Sequence, residues 1–172
     1  MDIYRELAGG DRRSIGRADA VAAAVARNPD LFGPLFDGML HKDPVVAMRC
    51  ADAAEKVTRL QPGLLGPYGQ RLLEKVGHTE QHEVRWHVAL MLPRARLSAA
   101  QRRQAMELLR VYLNDASRIV CCNALEGLTD LAEQDDVLRP VIRRIVRQHT
   151  GNVSAAVRAR ARKMLIRLET EP

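Results

Sequence analysis

Aromatic residues are scarce in this chain of 172 residues: Tyr4, Phe32, Phe36, Tyr68, Trp86 and Tyr112 are all of them. Its core must therefore come from alanine, leucine and valine, which are small enough to let helices approach closely. Long apolar runs are missing too. The longest, Ala20 to Ala26, falls far short of the roughly 20 residues that cross a bilayer, so no membrane partner is expected. Met1 to Glu6 has no basic stretch leading into an apolar one, so no secretory signal is expected and the cytoplasm is the expected compartment. Cysteines are few and odd in number: Cys50, Cys121 and Cys122 fit no zinc spacing. Reduced structural thiols are expected, with Cys121 or Cys122 reactive only if exposed. Strand-like alternation is absent. Gly9-Gly10 and Gly63-x-x-Gly66 follow no strand and read as helix ends rather than phosphate loops. No nucleophile–base pair or paired catalytic carboxylates stand out. No catalytic residue, cofactor or metal site is therefore expected.

What is present is periodic. Adjacent bulky residues recur at Leu35/Phe36, Leu72/Leu73, Leu108/Leu109 and Ile145/Val146. Valines recur at Val46, Val84, Val120 and Val157. Each is followed four residues later by Cys50, Val88, Ala124 or Ala161, and eight later by Ala54, Leu92, Leu128 or Leu165. Eleven later come Val57, Ala95, Leu131 and Leu168. Those offsets trace one face of an α-helix. A fixed period of this length marks stacked helical hairpins, in which one copy alone buries too little to fold. The pattern predicts an all-α fold of four hairpins, at about 28–60, 64–96, 98–133 and 136–169. Residues 1–27 form an N-terminal helical cap outside that register, with helices at 3–8 and 14–27. Pro67 and Pro140 are equivalent positions, where a proline starts or kinks the helix.

Charge is uneven. From Val137 to Leu168 there are nine basic residues and no acid. The 27 basic residues less these nine leave 18 against 21 acidic ones elsewhere. Arg139, Arg143 and Arg147 form one helical stripe, and Arg158 and Arg162 another, with Arg167 beyond. Such a surface binds phosphate or an acidic protein, or it merely keeps a terminal copy soluble. Only four of the basic residues are lysines, a bias that composition alone can produce.

The second helices read Val84-Arg85-Trp86-His87-Val88-Ala89 and Val157-Arg158-Ala159-Arg160-Ala161-Arg162, and copy one gives Asp43-Pro44-Val45-Val46. This resembles HEAT repeats over about residues 28–169. The resemblance implies a short right-handed superhelix whose second helices line a concave, partner-binding side. It also implies an inner-turn Asp meeting the Arg of the next copy. Here only Arg85 and Arg158 hold that Arg place, while Ala47 and Cys121 replace it. Two enzyme families on HEAT-like repeats give weaker likenesses. Deoxyhypusine hydroxylases bind iron through repeated His-Glu pairs, and this chain has one, His82-Glu83. HEAT-like DNA glycosylases group Trp, Asp and Arg, which Trp86 with Arg118 or Arg158 loosely resembles.

The expected function is therefore a non-catalytic protein-binding or scaffold module. Its expected contacts are Arg49, Trp86, Arg118 and Arg158, and its expected partner is a protein, an acidic one included. The alternative is nucleic-acid or other polyanion binding through Arg139, Arg143, Arg147, Arg158, Arg162 and Arg167. A HEAT-like enzyme is the third reading.

Overall fold

The computed structural model describes residues 1–11 and 13–170. Among them the chain is all-helical, with no strand. The helices are α1 (Ile3–Leu7), α2 (Ala18–Arg27), α3 (Phe32–Asp37), α4 (Pro44–Leu60), α5 (Gly69–Glu74), α6 (His82–Met91), α7 (Ala99–Tyr112), α8 (Arg118–Gln134), α9 (Arg139–Gln148) and α10 (Ala155–Glu169). None of them is long and apolar enough to cross a membrane.

The chemistry of the turns explains where the longer helices begin. Position 41, 79, 115 or 152 sits five residues before each repeated valine. In every copy its backbone N–H closes a tight turn, bonding to Gly38, Val76, Tyr112 or His149. In every copy its side chain accepts from the N–H two residues on. His41 Nδ1 accepts from Asp43, Thr79 Oγ1 from Gln81, Asp115 Oδ1 from Ser117 and Asn152 Oδ1 from Ser154. Short polar side chains favour such turns because they mimic a backbone acceptor. The residue after the valine then clamps the same turn. Arg85, Cys121 and Arg158 donate to the carbonyls of Thr79, Asp115 and Asn152. Ala47 has no donor to offer in copy one.

Elsewhere the expected boundaries shift. The Ser98–Gln101 capping box forms as the spacing predicts and starts α7. The first helices of copies one and two are shorter than expected. Residues 29–31, 38–40, 62–68 and 76–78 are 3-10 turns, leaving α3 and α5 only six residues each. Pro67 lies inside one of those turns, whereas Pro140 sits in the first turn of α9. Residues 14–17 do not join α2. Gly16 takes φ +54°, a left-handed conformation that breaks the helix, and α2 begins at Ala18.

The apolar register packs as one core. Val46, Val84, Val120 and Val157 are all buried, as are Cys50, Val88, Ala124 and Ala161 four residues on. Leu165 is the exception, half-buried near the chain's C-terminal end. α2 packs on α4, α4 on α6, α6 on α8 and α8 on α10, while α3, α7 and α9 pack on α4, α8 and α10. The α6–α8 crossing is tight. A Cβ on Gly127 would fall within 3.0 Å of the Ala89 carbonyl oxygen.

Polar ties join residues about one period apart. Gln81 donates to Pro44 O, Asn123 to Trp86 O and Tyr112 Oη to Gly77 O. Arg94 pairs with Glu55 and Arg102 with Asp135. The cap, though out of register in sequence, is tied in the same way, through Lys56–Asp19 and Gln61–Ala26 O.

The Arg85–Asp115 pair, at 2.7 Å, joins copies two and three, and His82 Nδ1 lies 2.8 Å from the same carboxylate. Burial alone would raise the Asp115 pKa. The Ser117 N–H, Arg85 and His82 outweigh it and hold the carboxyl below its ordinary value. A depressed folded-state pKa stabilises the fold above about pH 4, and that stability drains away as pH falls through the folded value. Asp115→Asn is therefore expected to cost about 1–3 kcal/mol near neutrality. In urea unfolding, the gap to the wild type should close as pH is lowered below about 4. A gap that does not change with pH contradicts this role.

Candidate binding groove

The second helices offer three side-chain rows beside the buried valine row. Two residues after the valine stand Met48, Trp86 and Cys122; three after, Arg49, His87 and Asn123; six after, Asp52, Leu90 and Glu126. Helical spacing puts these offsets on one flank of each helix. The stacking of α4, α6 and α8 brings them together. Met48, Asp52, Trp86, Leu90, Ile119 and Asn123 line a groove of about 450 Å³. The loop between α1 and α2 forms its remaining wall, through Arg13, Ser14 and Ile15. Ile15 is 46% exposed and Ile119 52%, so the apolar rim is open to solvent.

Arg49 builds that wall. It was expected on an exposed face, but it is buried, with 3% of its surface accessible. Its guanidinium donates to four backbone carbonyls: Leu7 at 2.7 Å, Gly9 at 2.6 Å, Ser14 at 3.0 Å and Asp11 at 3.2 Å. The loop folds round it only because Gly10 and Gly16 have no side chain. Both have positive φ, and a Cβ on Gly16 would fall within 3.0 Å of the guanidinium. Arg49 is thus a positioning residue for the loop rather than a surface contact.

The groove's acids are already engaged. Asp52 pairs with Lys56 at 2.7 Å, and Lys56 also reaches Asp19 at 2.5 Å. Burial would lower the Lys56 pKa, but those two carboxylates raise it above its ordinary value. Glu55 is buried and held by Arg59 and Arg94, each at 2.7 Å. Burial opposes its ionisation, yet these two arginines bring its pKa below the ordinary value. His87 Nε2 lies 3.9 Å from Asp52. Burial dominates there and pushes the imidazole down to about 4, so His87 is neutral at physiological pH.

Trp86 is half-buried. It packs against the core on one side and lines the groove on the other, with its ring edge-on to His87 at 5.8 Å. Arg118 is exposed at the first position of α8, beside Ile119. Arg158 does not reach this groove's lining. Its Nη1 turns back to the carbonyls of Asn152 and Val153, at 2.7 and 2.8 Å. The sequence reading missed Ile15, Met48, Asp52, Leu90, Ile119 and Asn123. The available signal was an isoleucine, Ile119, placed one residue off the apolar stripe of a second helix.

The basic last copy is partly neutralised by α8. Glu126 pairs with Arg160, while Asp130 and Glu133 hold Arg167 at 2.8 and 2.7 Å. These three acids, four and three apart, form the α8 face toward α10. Arg147 meets Glu169 at 2.9 Å, and Arg139 is half-buried, 3.9 Å from Asp136. Arg143, Arg144, Arg162 and Lys163 are exposed and make no ion pair among the described residues. Of the six arginines expected to bind anions, only Arg143 and Arg162 are both exposed and unpaired there.

A larger hollow of about 780 Å³ lies between α5 and α7, floored by Leu73, Leu108 and Val111. Its carboxylates are engaged locally, Glu74 with Gln70 and Glu107 with Arg110. It holds His78 but none of the residues expected to bind a partner. Among the described residues, no three His, Cys, Asp or Glu side chains gather to hold a metal ion. Cys50 is buried and its thiol is pushed up to about 12, while burial also raises Cys121 and Cys122. No protein-family model and no curated protein matches the chain.

Proposed function

We propose that the chain is a HEAT-like α-solenoid, four hairpins and a cap in a right-handed row, acting as a non-catalytic protein-binding module of the cytoplasm. Three features support the row. One turn geometry recurs in all four copies. The second helices pack consecutively. Side-chain ties span about one period. A docked protein segment would lie in the groove of α4, α6 and α8, which is then the concave side. The observation that carries this reading is Trp86: the only tryptophan of the chain stands half-buried in a groove built by three successive copies, with part of its ring open to a partner. Half-buried aromatics in such hollows serve as binding anchors.

Random peptides displayed on phage, selected on the full chain, test it. The recovered peptides should compete for one site and shift the emission of Trp86. Trp86→Ala and Ile119→Asp should each weaken them at least about tenfold; Ile119→Asp should leave the urea midpoint nearly unchanged, and Trp86→Ala, which also loses packing against the core, should lower it without unfolding the chain. Selected peptides that bind Trp86→Ala as well as wild type overturn the groove as the docking site.

Polyanion binding through the last copy is the second reading. Its support is the exposed cations Arg143, Arg144, Arg162 and Lys163, which make no ion pair among the described residues. It requires affinity for DNA or RNA that falls steeply with salt.

A further inference from the structure

We infer that the groove of α4, α6 and α8 takes an acidic protein segment carrying an apolar anchor residue. This rests on the groove reading above and deepens it by naming the chemistry of the occupant.

Among the described residues, four cations line the groove, Arg13, Arg49, Lys56 and Arg59, against two acids, Asp52 and Glu55. His87 adds no charge near neutrality, because burial keeps it unprotonated. The two acids are not available to a partner. Asp52 is bound by Lys56, and Glu55 lies buried under Arg59 and Arg94. The cations divide differently. Arg49 and Lys56 are used internally, by four carbonyls and by two carboxylates. Arg13 is exposed, and its side chain makes no hydrogen bond or ion pair among the described residues. Arg59 spends Nε and Nη2 on Glu55 and is 62% exposed, so its remaining donors face outward. Arg118, beside Ile119 at the edge, is likewise exposed and unpaired among the described residues. A partner therefore meets free positive charge at the rim and carboxylates that are already satisfied.

The interior selects the rest of the partner. Met48, Trp86, Leu90 and Ile119 give an apolar lining, and the volume of about 450 Å³ fits a few side chains. A basic segment would have to face Arg13 and Arg59 with no free acid among the described lining residues to answer it. An acidic one pairs with them while an apolar side chain covers Trp86. Rim charges of this kind govern partner choice and encounter rate more than total affinity.

Three synthetic peptides test this on the full-length chain. They share one leucine- and phenylalanine-containing core flanked by glutamate, by glutamine or by lysine. Anisotropy of a labelled peptide measures affinity, and Trp86 emission reports occupancy of the groove. The glutamate peptide should bind roughly tenfold more tightly than the glutamine peptide, and the lysine peptide most weakly. The glutamate advantage should shrink at high salt. Arg13→Glu should lower the affinity of the glutamate peptide several-fold more than that of the glutamine peptide, and an equal loss for both would contradict the acidic preference. Arg13 contributes nothing to the core, so this variant folds. If the glutamine or lysine peptide binds as tightly as the glutamate one and still shifts Trp86, the acidic preference is wrong and the groove stands. If no peptide shifts Trp86 and random selection also yields none that does, the groove reading itself falls. If a single-stranded oligonucleotide displaces the glutamate peptide and binds more tightly than it, the occupant is nucleic acid and the inference is overturned.

Discussion

Arg49→Met is expected to destabilise the fold by about 3–5 kcal/mol and to free the loop between α1 and α2. Methionine keeps much of the volume of the stem but donates nothing. Four carbonyls then lose charge-assisted bonds, each worth about 1.5–3 kcal/mol. The sum of four would overstate the cost, because Gly9, Asp11 and Ser14 are exposed residues whose carbonyls can turn to water. The Leu7 carbonyl is in the buried part of the cluster and has less choice. Helix α1 has five residues and cannot stand without its tertiary contacts. Hydrogen exchange should therefore lose protection in residues 3–17, while α6 to α10 stay protected. Partner affinity should fall with it, since Arg13 and Ile15 leave the groove. A cost below about 1 kcal/mol would mean that something other than Arg49 holds the loop.

The second large effect is at Gly127. In an exposed helix, glycine to alanine gains about 1 kcal/mol. Here the sign should reverse, to a loss of about 1–3 kcal/mol for Gly127→Ala, and more for Gly127→Val. The added Cβ meets the Ala89 carbonyl, which is backbone and cannot swing aside. Helices α6 and α8 must then part, and the packing of Leu109, already 3.3 Å from that Cβ position, is disturbed as well. Because α6 and α8 form two walls of the groove, the variant should also weaken peptide binding. Equilibrium urea unfolding measures the cost. A neutral or stabilising Gly127→Ala contradicts the close crossing.

The buried valine row was legible because burial recurs along it. Val46, Val84, Val120 and Val157 stand in the same buried row, and that row is written in hydrophobic spacing alone. The turn residues were legible as positions but not as a mechanism. His41, Thr79, Asp115 and Asn152 share no residue type, only the ability to accept from the N–H two residues on. Trp86 was identified as a candidate, and it does line the groove. Arg49 was misread because the element covering it lies outside the repeat. No periodicity reveals a loop folded back by three glycines with positive φ. Arg158 and Arg167 looked like free cations because a linear charge count ignores neighbouring copies. Their partners are their own turn and the acids of α8, one period upstream. The shortened α3 and α5 follow from Gly33, Pro34, Pro62, Gly63, Gly66 and Pro67, which favour tight 3-10 turns over long helix.

The most direct measurement is a backbone amide spectrum of the isotope-labelled chain, titrated with the glutamate-flanked peptide. Perturbed signals should cluster at residues 13–15, 48–59, 86–90 and 118–123, with the Trp86 indole among the largest. Shifts concentrated instead in α9 and α10, or between α5 and α7, would place the partner elsewhere and contradict the groove as the docking site.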